Sequence, residues 1–258
     1  MKLGILQGRL SKPVGGLYQE FPKYWRNEFD VLPQLGLVGM EWLITPALFE
    51  ANPFFIDGSN MGELPILSVC ADTLVDGRIC DKSFLKHNLD PICAQALKSG
   101  VEILTIPILD ESDLNDDKTR ESFCSIIEWY GKSYPEIKFA FEAEMPPNKL
   151  NDIVSLCDNF YVTYDTGNIT SCGVDHSDFI DFFKDKIVNV HIKDRTFDRQ
   201  TVAPTTGDTD FELIFQKLSS IGYDGNFILQ TARGKDGQEY NTAKKHIKIF
   251  KDLHDKHF

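Results

Sequence analysis

The sequence predicts an α/β fold, a (β/α)8 TIM barrel, on three observations. Eight short apolar runs are spread along 258 residues, amphipathic stretches of helical periodicity lie between them, and the last four runs each carry a polar residue at or next to their end. Strand-like runs that alternate with helices imply a parallel sheet with helices outside it. A doubly wound open sheet is the competing architecture, and it usually gathers its ligand at one switch point beside a Gly-rich phosphate loop. Here the first run leads into QGRLSKPVGG, which has no GxGxxG, and the polar run ends are spread over the second half of the chain. A closed barrel brings every strand end to one rim, so it accounts for that spread better. The length allows one barrel or two small domains. No Ser/Gly-rich linker, charge block or low-complexity tract divides the chain, which gives a single domain over residues 1–258.

The runs, in order, are KLGIL, VGMEWLI, PILSVC, EILTIPI, KFAFEA, FYVTYD, IVNVHI and NFILQ. Between them, Ser83–Ser99 reads as a helix closed by Gly100, and Lys118–Gly131 as another. In TDFELIFQKLSSIG, Phe211, Ile214, Phe215, Leu218 and Ile221 fall on one helical face, Thr209 or Asp208 can cap the start, and Gly222 can close the end.

Composition limits the function. A net charge of −12 repels phosphate backbones and anionic lipid, which argues against nucleic acid and membrane as partners. The apolar stretch after Lys2 is too short for a secretory signal, no run approaches a membrane span, and the six cysteines form no CxxC pair. A cytoplasmic protein with reduced thiols is expected, and a homo-oligomer is compatible with the chain.

The chemistry gathers at the run ends. Glu142, Asp165, His191 and Gln230 stand at or next to the ends of four successive runs, 23, 26 and 39 residues apart, against roughly 30 per unit in a barrel of this kind. Two carboxylates, an imidazole and a carboxamide make a mixed O/N shell for a divalent cation, with Mn, Mg, Co and Zn all admissible. Alternation along KFAFEAE places Ala140, Glu142 and Glu144 on one face, so two carboxylates point to the barrel mouth, and Glu144 reads equally well as a solvated rim residue. After His191 the chain continues with Lys193, Asp194 and Arg195, a density of polar groups that marks a site. Arg9, Lys193, Arg195 and Arg233 follow strand ends and are candidates for binding an anionic substrate group, though each alone also reads as a surface ion-pair partner. Trp42 reads as core or as an apolar floor under a sugar ring, and LYQEFPKYW, after the first run, as a lid or substrate wall.

The segment from IVNVHIKDR to NFILQ resembles the last quarter of the xylose-isomerase-like family of sugar isomerases and epimerases. Within it, YDTGN and VHIKD are most similar to ketose-phosphate 3-epimerases such as L-xylulose 5-phosphate 3-epimerase. The resemblance covers most of the chain, specifically in the second half and loosely in LGILQGRLS and GLVGMEWL. It implies a divalent metal held by Glu142, Asp165, His191 and the residue at 230, and a sugar or sugar-phosphate substrate. It also implies an acid/base pair, formed by Glu142 and a glutamate at 230, that exchanges a proton beside the substrate carbonyl. This chain departs from the family twice. Gln230 stands where the family has its second Glu, and TTGDTDF replaces a more glycine-rich GxGxxDF.

An amide can ligate a metal but cannot accept a proton at neutral pH. Three readings follow: a one-base isomerase or lyase using Glu142 or Glu144, a rim carboxylate in place of the lost base, or a sugar-binding barrel without turnover. An apurinic-endonuclease-like hydrolase would need many more metal ligands than six histidines, three of them in the C-terminal helix pattern, allow.

Overall fold

The computed structural model describes residues 1–12, 24–47, 49–57 and 61–258. The strands are β1 (Lys2–Leu6), β2 (Met40–Leu43), β3 (Ile66–Cys70), β4 (Ile103–Ile108), β5 (Lys138–Ala143), β6 (Phe160–Asp165), β7 (Ile187–Ile192), β8 (Asp194–Arg195), β9 (Thr201–Val202) and β10 (Asn226–Leu229). Each of the eight apolar runs forms one barrel strand. They close in the order β1-β10-β7-β6-β5-β4-β3-β2, every neighbouring pair parallel. The antiparallel pair β8–β9 is a small hairpin at the C-terminal end of β7. Two-residue strands carry no periodicity, so the sequence gives no sign of it.

The expected helices are present with slightly different ends. Lys82–Ser99 is capped by Asp81, whose carboxylate accepts from the backbone of Ser83 at 2.7 Å, and it closes on Gly100 at φ +70°. The second runs over Asp117–Ser133 behind an Asp116 cap. Phe211–Ser220 is capped by Asp210, accepting from Leu213 N at 3.0 Å, rather than by Thr209 or Asp208. Thr209 is occupied elsewhere, accepting from Arg195 N at 3.3 Å and from Thr170 Oγ1 at 3.0 Å.

Alternation along the strands separates two interiors. Phe139 and Phe141 on β5 face outward and meet Phe160 and Phe123, part of the large apolar layer between strands and helices. Trp42 lies in that layer, fully buried, donating Nε1–H to Asn52 Oδ1 at 2.8 Å, so it is core and not a sugar floor. Trp25, the last residue of LYQEFPKYW, packs edge-on against Trp42 with ring centroids 5.3 Å apart. Residues 17–23 of that stretch lie outside the described residues.

Inside the barrel, a small apolar cluster of Leu6, Leu43, Cys70 and Ile228 adjoins a polar layer. Ala140 on β5 leaves space for Thr105 on β4 and Thr163 on β6 to bond at 2.9 Å. Beside them stand Glu41, Asn189 and His191, all fully buried. Polar groups withdrawn from water are tolerated only when paired. The polar layer is therefore the part of the interior that function explains. At the opposite, N-terminal end of the strands, a hollow of about 520 Å³ is edged by Lys2, Glu102, Lys138 and Asp185, the face of such barrels concerned with stability.

Candidate metal centre

The C-terminal ends of β5, β6 and β7 bring together Glu142, Asp165 and His191. One ligand atom from each lies within 4.8 Å of the other two, and all three residues are buried. His191 Nδ1 is 3.2 Å from Glu142 Oε2 and 3.8 Å from Asp165 Oδ2. Gln230, the first residue beyond β10, places its amide nitrogen 2.9 Å from His191 Nδ1. Gln230 thus stands beside the other three and presents its amide nitrogen, not its oxygen, to His191.

Local structure fixes these side chains. The other Asp165 oxygen, Oδ1, accepts from Asn168 N at 2.8 Å, capping the short helix Thr166–Ser171 that starts straight after β6. Asn168 then donates its side-chain amide to Glu142 Oε1 at 2.7 Å. That helix is tied down from behind. Thr170 bonds Thr209 at 3.0 Å and the buried His176 at 3.0 Å, and His176 meets Tyr164 at 2.5 Å. Burial pushes His176 down to about 4, so it stays neutral at ordinary pH.

The charges in this pocket do not balance by themselves. Three buried carboxylates, Glu41, Glu142 and Asp165, share it with one lysine, Lys193, whose Nζ lies 2.7 Å from Asp165 Oδ2. Burial alone would lower the pKa of His191, yet the flanking carboxylates of Glu41 and Glu142 raise it to about 10. Burial likewise works against the charged form of Asp165, but Lys193, His191 and Arg195 together hold it below the usual carboxylate range. The pocket therefore recruits positive charge. A divalent cation on Glu142, Asp165 and His191 would supply it while displacing the imidazole proton, and the donor set suits such an ion.

The four expected substrate cations fall in three settings. Lys193 is inside the site, reaching Asn168 Oδ1 at 3.3 Å as well as Asp165. Arg195 meets Glu144 Oε1 at 2.6 Å, and Arg199 meets the other Glu144 oxygen at 3.1 Å, so this part of the rim is a mutual ion pair. Arg9 and Arg233 line a separate small cleft with Thr231 and His246, and Arg233 donates to Ser11 O at 2.9 Å.

Sequence reading missed Glu41, Asn168, Asn189 and Asp72. Glu41 and Asn189 carried a usable signal, since each is a polar residue inside an apolar run, where burial demands a partner. Asp72, just past β3, is pushed up to about 6 by burial and by Glu142 and Asp110, with Lys193 opposing.

The loop TTGDTDF after the hairpin folds onto Asp194, which accepts from Thr206 N at 3.1 Å and Gly207 N at 2.9 Å. Thr205, at the position of a family glycine, is exposed and left-handed at φ +69°. That conformation costs a β-branched residue about 1–2 kcal/mol. Thr205→Gly is expected to raise stability by about 0.5–1 kcal/mol after the extra unfolded-state entropy of glycine, read from the urea midpoint. An unchanged or lower midpoint would show that the loop bears no strain there.

A family model described as xylose isomerase-like TIM barrel matches residues 88–253, more than half of the chain. The chain belongs to this family. Solved structures agree on the fold. An L-ribulose 3-epimerase superposes with a TM-score of 0.75 at 14% identity, over 98% of this chain and 94% of that one. The IOLI protein, solved with a zinc atom bound, gives 0.74 at 17% identity over 100% and 99%. A xylose isomerase-like TIM barrel/4-hydroxyphenylpyruvate dioxygenase fusion protein gives 0.72 at 16% identity, where 98% of this chain spans 42% of that one. No curated protein matches the chain in sequence.

Proposed function

We propose that the chain is a divalent-metal-dependent isomerase or epimerase of a sugar or sugar phosphate, which abstracts a proton beside the substrate carbonyl. The observation that carries this reading is the convergence of Glu142, Asp165 and His191 donors in a pocket short of positive charge. The metal, when bound, polarises the substrate carbonyl and stabilises the negative charge that develops on its oxygen. Glu142 is the proton-transferring group. Asn168 holds one of its oxygens at 2.7 Å and thereby fixes the carboxylate against the substrate carbon. Glu144, neutralised by Arg195 and Arg199, is assigned to holding the rim rather than to proton transfer.

Gln230 cannot be the second proton carrier. A group titrating near neutral pH both gives and takes protons well, and Asp72, just past β3 and raised to about 6 by burial and by the Glu142 charge, is the carboxylate we assign to that task. An anionic group on the far end of the substrate would meet Arg9 and Arg233 only if it extended from the metal centre into their separate cleft. Ketose phosphates, the substrates of the epimerases that YDTGN and VHIKD resemble, are the first candidates for such a substrate.

Incubation with a panel of ketoses and ketose phosphates in D₂O tests the reading. With Mn²⁺ present, deuterium should enter at the carbon beside the carbonyl of at least one sugar, and chelation should stop it. Sugar binding by calorimetry with no deuterium uptake from any member of the panel would make the protein a sugar-binding barrel instead.

A further inference from the structure

His191 has two ring nitrogens and only one of them faces the proposed metal. Nδ1 points to Glu142 and Asp165, whereas Nε2 points the other way, 2.8 Å from Glu41 Oε1 and 3.1 Å from Oε2. Glu41 reaches this position from β2, far around the barrel wall from β7, and is fully buried. Its carboxylate is held on several sides: Ser68 Oγ donates at 2.7 Å, Asn189 Nδ2 at 2.9 Å and Gln230 Nε2 at 3.3 Å. So many donors leave the carboxylate one orientation, and that orientation aims it at Nε2.

An ionised carboxylate only accepts hydrogen bonds. With Glu41 in place, a neutral His191 must keep its proton on Nε2 and turn its lone pair out through Nδ1. The opposite tautomer would aim an N–H at the cation and a lone pair at a carboxylate, unfavourable on both sides. We propose that Glu41 is a positioning residue that sets the tautomer and ring orientation of His191 for metal ligation through Nδ1. The inference rests on the metal-centre reading above and adds a residue to it. A carboxylate behind a ligating imidazole also makes the ligand more basic, and loss of such a partner typically costs about 10–100-fold in metal affinity.

Glu41 also links β2, β3, β7 and β10, so a variant could weaken metal binding by loosening the barrel. A double-mutant cycle separates the two roles. Zn²⁺ and Mn²⁺ affinities are measured by calorimetry for the wild type, Glu41→Gln, His191→Gln and the double variant. If Glu41 acts through His191, Glu41→Gln should cost about 10–100-fold alone and almost nothing more once His191 is replaced. Equal losses in both backgrounds would assign Glu41 to the framework and overturn the proposal. Imidazole NMR of the Zn²⁺-loaded wild type adds a measurement that needs no variant to fold: it should show ligation through Nδ1 and a slowly exchanging proton on Nε2. Ligation through Nε2 would overturn the proposal. A wild type that binds neither metal fells the metal-centre reading and this inference with it, whereas normal binding undiminished in Glu41→Gln fells the inference alone.

Discussion

Glu142→Gln is expected to abolish proton exchange at the substrate carbon, by at least the 10²–10⁴-fold typical of a positioned general base, while the barrel stays folded. The substitution keeps an oxygen that can accept from Asn168, now at 2.7 Å from Glu142 Oε1, so the link to the helix Thr166–Ser171 survives. What disappears is one negative charge among three buried carboxylates, so the loss of its contact with His191 is offset by relief of like-charge repulsion. Metal affinity should fall as well, because an anionic ligand becomes neutral. Exchange is therefore measured at saturating Mn²⁺, beside a thermal unfolding curve. Exchange within tenfold of the wild type under those conditions would remove Glu142 from proton transfer and turn attention to Asp72.

The fold was legible because each barrel strand buries both faces over most of its length, so the strands read as apolar runs and their number could be counted. The site was legible where a strand ended on a residue that burial would otherwise penalise. Glu142, Asp165 and His191 met that condition, and the structure gathers them. Glu41 was obscured because it lies inside the run MEWL, where strand ends give no cue. The four cations show the complementary limit. Arg195 and Arg233 both follow strand ends, yet one is taken by Glu144 and the other reaches Ser11 O, partners set by loops whose course no periodicity encodes. The hairpin β8–β9 was invisible for the same reason, although it carries Arg195 and Asp194 and so fixes the loop back onto the rim.

Gln230→Glu should tighten metal binding and lower exchange activity. The Gln230 amide nitrogen lies 3.3 Å from Glu41 Oε1 and 2.9 Å from His191 Nδ1, donating into a pocket already crowded with carboxylate oxygen. A glutamate there would set a fourth buried carboxylate against Glu41, a like-charge contact in low dielectric that costs stability until a cation arrives. Mn²⁺ should accordingly raise the unfolding midpoint of Gln230→Glu by more than it raises that of the wild type. The catalytic consequence runs the other way. A neutral amide leaves the cation a stronger Lewis acid than a further carboxylate does, and the geometry around His191 and Glu41 is built on an N–H donor at this position. Removing that donor frees Glu41 Oε1 from one of the contacts that aim it at His191. Deuterium uptake at saturating Mn²⁺ decides the matter: a fall alongside tighter binding makes the amide part of the native chemistry, whereas a gain approaching 10²–10⁴-fold would show that the barrel is arranged for two opposed glutamates and lacks only the second.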